Sequence, residues 1–352
     1  MNKPATVLKQ QTTVFESLQS QGISRRNFLK FCALTASTLG ISGAAVKVFS
    51  ESLAAAVRPS VIWLSFQHCT GCSESLLRSG NPLTDRLTLE NLVLNFVSLD
   101  YHETLQVAAG AQAEAARTAA IQANFGNYIL IVDGALPTGE NEWWMAIAGQ
   151  SGLSILRETI EGAALVLAVG ACSTFGGIPA ASPNPSTAKG IGDLMAAGLI
   201  PSRTLVNLSG CPPVPEVITG TIAYYLVNGA LPALDALRRP MIFFGKTVHD
   251  CCPRLDHFNA GNFAASFGDD GAKQGHCLLL LGCKGPDTFN ACTTNRWNQG
   301  TSSPTQAGHG CIGCSEPNFW DASGGLYGFV SEFEQGDGTA CAPPALPQLP
   351  AA

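Results

Sequence analysis

One stretch constrains this chain more than any other: Val61 to Glu74, VIWLSFQHCTGCSE. The apolar run Val61 to Phe66 predicts a buried strand. It leads directly into Cys69 and Cys72, spaced C-x-x-C with Gly71 between them. A turn of this kind presents two thiolates at the carboxyl end of a strand, the edge of an open α/β sheet at which ligands bind. Two soft thiolates at that spacing suit iron–sulfur or zinc, or a redox disulfide.

Further apolar runs follow at regular intervals. Leu92 to Leu99, Tyr128 to Val132, Leu165 to Val169 and Thr204 to Leu208 read as strands. Between them Thr104 to Asn124, Ser154 to Glu161 and Val214 to Val227 read as helices, the last closed by Asn228-Gly229. Strands alternating with helices predict a parallel, doubly wound sheet over residues 57–230. After Leu231 helical periodicity fades, and seven cysteines fall between Cys251 and Cys314. A loop-rich segment of this length needs staples, which metal clusters can supply.

The thirteen cysteines fall into groups. Cys69 and Cys72 follow the first strand, Cys172 the fourth (GACSTFGG) and Cys211 the fifth (SGCPP). All four lie on one edge of one sheet, and four convergent thiolates suit a [4Fe–4S] cluster or a zinc ion. His249 with Cys252, Cys277 and Cys283 forms a second set, open to a cluster or to Cys₃His zinc. Cys292, Cys311 and Cys314 form a third, with Pro304 in the loop between them. Three thiolates are too few for a closed tetrahedral zinc site but suit a three-iron cluster. No phosphate-binding loop, dinucleotide fingerprint or Ser-His-Asp arrangement is present.

The first 56 residues read as a leader that takes no part in the fold. Arg25-Arg26 precede an uncharged run, Phe31 to Val46, shorter than a spanning helix requires, and Ala54-Ala55-Ala56 offers a small-residue cleavage site. The pattern is that of a twin-arginine export signal, which predicts a periplasmic protein. The leader carries six basic and two acidic residues, a net +4, so a chain of −6 leaves the remainder at −10. An acidic body argues against nucleic-acid binding. No later stretch resembles a membrane span, and the Pro-rich tail 342–352 is expected to be disordered.

Taken together, CTGCSE, GACSTFGG, GCPP, the segment His249 to Arg254, LGCKGP at Leu281 to Pro286, and CIGCSEPNFWD at Cys311 to Asp321 resemble the small subunit of nickel–iron hydrogenases. The resemblance implies a flavodoxin-like domain followed by an iron–sulfur domain, 231–341. It implies a proximal [4Fe–4S] cluster on Cys69, Cys72, Cys172 and Cys211, and a distal [4Fe–4S] cluster on His249, Cys252, Cys277 and Cys283. Cys292, Cys311 and Cys314 would hold a medial [3Fe–4S] cluster. It further implies a large-subunit partner bearing the nickel–iron centre, so that this chain carries electrons and has no catalytic residue of its own. They would pass to an external acceptor such as a cytochrome or quinone-linked protein.

Oxygen-tolerant relatives have two further cysteines where this chain has Gly71 and Gly177, which implies a standard proximal cluster. No anchoring helix follows the last cysteine motif, and Cys251 lies outside the family pattern. Two other readings remain: the electron-transfer subunit of a related quinone-reducing complex, against which the second domain's ligands argue, and a zinc-stapled interaction protein.

Overall fold

The computed structural model describes residues 13–79 (apart from 21, 23 and 40), 97–298 and 300–328. Five strands, β1 Ser60–Ser65, β2 Ser98–His102, β3 Tyr128–Asp133, β4 Ala163–Val169 and β5 Leu205–Leu208, form one sheet in which every pairing is parallel. Their spatial order is 2-1-3-4-5, the flavodoxin-like order, with its switch point between β1 and β3. The register sets Val61 opposite Ile129, Ile129 opposite Leu165, and Val166 opposite Leu205. Helices cover both faces, so β1 and β3 are buried along their whole length. This is why they read in sequence as apolar runs without alternation.

On one face Ile62, Leu64, Leu130, Val132, Val166 and Ala168 meet α5 Ala111–Ala123, α6 Gly152–Ile160 and α8 Ile191–Ala196. On the other, Val61, Trp63, Ile129, Ile131, Leu167 and Val206 meet α9 Pro215–Asn228. The helix α4 Gly71–Leu77 follows β1, and α7 Gly170–Phe175 follows β4.

One sequence expectation lies largely outside the described residues, and two others differ from what the structure shows. The strand expected at Leu92 to Leu99 falls largely on residues 80–96, outside the described residues; the strand pairing with β1 is Ser98–His102. The helix expected from Thr104 starts at Ala111, because Gly110 has φ +55° and breaks the helical path. The leader, expected to lie outside the fold, is packed onto it. Helices α1 Val14–Ser20, α2 Arg25–Thr38 and α3 Val46–Ala55 join the core beside α9. Phe28, Cys32, Ala36 and Leu39 recur at helical spacing, as do Val14 with Leu18 and Phe49 with Leu53, and all are buried.

From residue 231 to 328 the described residues form short helical turns and isolated bridges, with no further named strand. Phe243, Phe244, Val248 and Ala291 join the large core beside α9, and a smaller cluster centres on Phe319 and Trp320 against Ala171. Much of the rest of the interior is polar: Arg239, Arg254, Lys284, Thr288, Asn290, Ser303, Thr305 and Ser315 are all buried.

Candidate metal centres

The parallel sheet brings the first group to one edge. Cys69 lies in the turn after β1 and Cys72 in the first turn of α4; Cys172 lies in α7 directly after β4, and Cys211 follows β5. Burial, first of all, pushes the thiols of Cys72, Cys172 and Cys211 up, Cys172 to about 12, and repulsion among these thiolates and Cys69 adds to it. Two glycines make the close approach possible. A Cβ on Gly170, at φ +88°, would stand 2.4 Å from Cys72 Sγ. One on Gly177, at φ +59°, would stand 2.6 Å from Cys172 Cα. A side chain at 177 is therefore excluded unless the backbone shifts.

Charged groups flank this edge. His68 lies 3.5 Å from Asp133 and 3.5 Å from Glu103. Those carboxylates raise its imidazole to about 10. At that separation the contacts are ion pairs, and Asp133 Oδ2 makes no hydrogen bond. His102, the last residue of β2, faces Ser73 Oγ at 3.1 Å and is held down to about 4 by burial.

The second group closes around one cavity, lined by His249, Cys252, Cys277 and Cys283 together with Arg254, Leu278 and Leu279. Cys251 is not among the lining residues. Burial lowers the His249 pKa, keeping its ring neutral and available as a ligand, and raises Cys277 and Cys283. Arg254 N–H points at Cys252 Sγ at 3.5 Å, and Cys311 N–H donates to Cys283 Sγ at 3.2 Å.

The third group, Cys292, Cys311 and Cys314, lines a separate pocket with Trp297, Pro304 and Tyr327. Trp297 Nε1–H donates to Cys292 Sγ at 3.4 Å, and Gly313 N–H to Cys311 Sγ at 3.4 Å. Burial drives Cys292 and Cys311 up to about 12 and Cys314 higher still. This pocket touches both others. Cys211 of the sheet edge lines it, and Thr305 lines it and the His249 cavity alike. The three groups are therefore contiguous, with the three-cysteine set in the middle.

The donor chemistry fits clusters. Buried thiols that repel one another hold their protons until a cationic centre stabilises the thiolates, and iron is such a centre. Backbone and indole N–H groups aimed at sulfur would stabilise the ligated thiolates and tune a cluster's potential. Among the described residues no three His, Cys, Asp or Glu side chains are gathered to hold one bare metal ion; those of the second and third groups line one cavity each. The fold places the second and third sets of the sequence reading around one cavity each, and Cys211 of the first set lines the middle pocket. Sequence reading missed Trp297 and Arg239, and it quoted Arg254 only as the end of a motif; the two arginines knit the second region. Arg254 donates to the carbonyls of Thr305 at 2.6 Å and His276 at 2.7 Å. The available signal was an arginine amid dense cysteine and proline in a chain only 13% charged.

Residues 244–327 match the family described as the C-terminal part of the NiFe/NiFeSe hydrogenase small subunit, and residues 69–225 match NADH ubiquinone oxidoreductase, 20 Kd subunit. The periplasmic [NiFe] hydrogenase small subunit 1 of Nitratidesulfovibrio vulgaris is 48% identical over 89% of this chain and 95% of its own length. The chain belongs to the nickel–iron hydrogenase small-subunit family. The uptake hydrogenase small subunit of Azotobacter vinelandii is 44% identical over 88% of this chain and 84% of its own. Among solved structures, the [NiFeSe] hydrogenase of Desulfomicrobium baculatum aligns with a TM-score of 0.69 at 33% identity, covering 78% of this chain and 100% of that one. Membership in the hydrogenase family accounts for the cysteine-rich second region, which zinc-stapled proteins and quinone-reducing relatives need not share.

Proposed function

We propose that this chain is the electron-transfer small subunit of a hydrogenase whose nickel–iron centre lies in a separate large subunit, and that it holds three iron–sulfur clusters in series. Cys69, Cys72, Cys172 and Cys211 would hold a [4Fe–4S] cluster, Cys292, Cys311 and Cys314 a [3Fe–4S] cluster, and His249, Cys252, Cys277 and Cys283 a second [4Fe–4S] cluster. Iron–sulfur clusters at these places supply reversible one-electron storage. The observation that carries the reading is the contiguity of the three groups: Cys211 and Thr305 each line the middle pocket while belonging to a neighbour.

The chain's own residues set the conditions for that chemistry. Burial of Cys72, Cys277 and Cys292 keeps water from the ligand sulfurs. N–H donors from Trp297, Gly313, Cys311 and Arg254 stabilise negative sulfur. Gly71 and Gly177 provide no extra thiolate at the sheet-edge site, which supports a standard proximal cluster and activity that is lost in air.

The leader carries Arg25-Arg26 at the exposed start of α2, behind the helix cap Ser24, which supports twin-arginine export to the periplasm. Among the described residues no helix is long and apolar enough to cross a membrane. The relative from Wolinella succinogenes, 42% identical, is a quinone-reactive Ni/Fe-hydrogenase small chain. It favours a cytochrome or quinone-linked protein as the acceptor here.

Metal analysis of the purified heterodimer tests the reading. About eleven irons per small subunit and a brown colour that bleaches under hydrogen are expected. A colourless protein with stoichiometric zinc would overturn it.

A further inference from the structure

The leader's placement points to a device that export alone does not require. Val14, Leu18, Phe28, Cys32, Ala36, Leu39, Phe49 and Leu53 are each no more than 2% exposed, and they form one apolar cluster with Val61, Ile129, Ile218 and Ile222. Leu39 reaches α9, where its Cδ2 lies 3.4 Å from the position a Cβ on Gly220 would take. Phe15 and Phe28 lock α1 to α2, their ring centroids 5.4 Å apart. Arg25 and Arg26, by contrast, stand exposed at the start of α2.

The junction with the body of the chain is tied as well. Thr13 and Val57 form an antiparallel bridge, and Val14 N–H donates to the Ala56 carbonyl at 2.8 Å. Ala54 and Ala55 lie in the last turn of α3. Arg58, just beyond the junction, donates to Ser17 Oγ in α1 at 2.9 Å. Cleavage by a peptidase needs accessible backbone free of such bonds. The bonds that would be cut sit between a helix end and a bridge.

We propose that in the unprocessed chain residues 14–55 dock on the sheet face beside α9, displaying the paired arginines while withholding the leader's apolar side and its cleavage bond. Removal of the leader then requires prior undocking, and its rate follows the population of the undocked state. This rests on the export reading in naming the segment a leader, but docking itself can be measured without export.

Cys32 is a built-in reporter, buried in the docked helix and raised to about 12 by that burial. In the full-length chain, purified with its leader, iodoacetamide should label Cys32 about a hundredfold more slowly than in urea, read by mass spectrometry of the Cys32 peptide. The double variant Phe28→Asp with Leu39→Asp should label near the urea rate and be cut at residues 54–57 by leader peptidase about tenfold faster. Both substitutions lie in the leader, and retained amide protection of β3 and β4 in hydrogen exchange would show that the body stays folded. Labelling of the native chain at the urea rate would overturn the proposal, as would a double variant as protected as the native chain. Failure of export after Arg25 and Arg26 are replaced by Lys reads the signal itself, separately.

Discussion

Strand β3 and the loop from Cys311 to Ser315 lie in the same molecule and are held in unlike ways. Every residue of Tyr128–Asp133 is buried, and the strand is fixed by hydrogen bonds to β1 and β4 and by hydrocarbon on both faces. The loop has no ladder. Cys311 and Cys314 face a pocket, while the Ser315 carbonyl accepts from Ser209 Oγ at 2.8 Å and from Arg239 Nη1 at 3.0 Å. The first region is a protein core in the ordinary sense. The second has polar clamps around thiol-lined pockets, beside apolar residues such as Phe243, Phe244 and Val248 that join the core of the sheet. On the proposed cluster assignment, metal binding would contribute to the folding of 231–328 broadly, but to 57–230 only at one edge.

Cluster removal should separate the two regions most strongly. Stripping iron with chelator and reductant should abolish amide protection across residues 231–328 and leave β1, β3 and β4 protected, read by hydrogen exchange. Equal loss in both regions would erase the distinction. Next comes the polar clamp. Arg239 is buried against Asp235 at 2.8 Å and Glu316 at 2.9 Å, with its guanidinium over Phe244. Arg239→Met leaves those carboxylates uncompensated and should lower stability by about 3–5 kcal/mol in urea titrations. A loss below about 1 kcal/mol would show that the clamp is dispensable.

Glu216, in the first turn of α9, probes the sheet domain through pH. Burial raises its carboxyl to about 7, and its Oε2 has no hydrogen-bond partner. Because the folded pKa lies above the unfolded one, the folded state favours the protonated acid. The penalty is absent below about pH 4.5, grows as pH rises, and is complete above about 7. Glu216→Gln should therefore stabilise the chain at pH 8, by up to about 3 kcal/mol, and do nothing at pH 4. A pH-independent effect would contradict this. The smallest effect is expected from Ser209→Ala, which removes one bond between the sheet and the Ser315 loop. It should lower stability by about 1 kcal/mol and loosen exchange only at 311–316.

What could be read in the sequence follows from the same contrast. β1, β3, β4 and β5 are legible because burial on both faces leaves plain apolar runs. β2, at the edge, is half polar, with Asp100 accepting from Ser60 and Ser98, and nothing marks its start. The first cysteine group stands out in the sequence because its thiols fall just past the ends of apolar runs, whereas the other two groups stand out only by the density and spacing of cysteine. Trp297 and Arg239 are not legible, since a lone indole or guanidinium gives no spacing to recognise. The leader shows where one pattern supports two readings. Phe28, Cys32, Ala36 and Leu39 serve equally as the apolar stretch of an export signal and as the buried side of a helix, and sequence offers no way to choose.

The proposed series of clusters turns on its middle member, where Cys292, Cys311, Cys314 and Pro304 line one pocket. A four-iron cube normally takes a protein ligand at each iron, and proline has no side-chain atom to offer. The deciding experiment is electron paramagnetic resonance of the air-oxidised heterodimer, beside a Pro304→Cys variant. We expect a narrow signal close to the free-electron value, integrating to about one spin per small subunit, from the half-integer spin of an oxidised three-iron cluster. The variant, with a fourth thiolate, should lose most of it. A silent wild type, or a variant signal of undiminished size, would contradict a three-iron cluster held by Cys292, Cys311 and Cys314 beside Pro304.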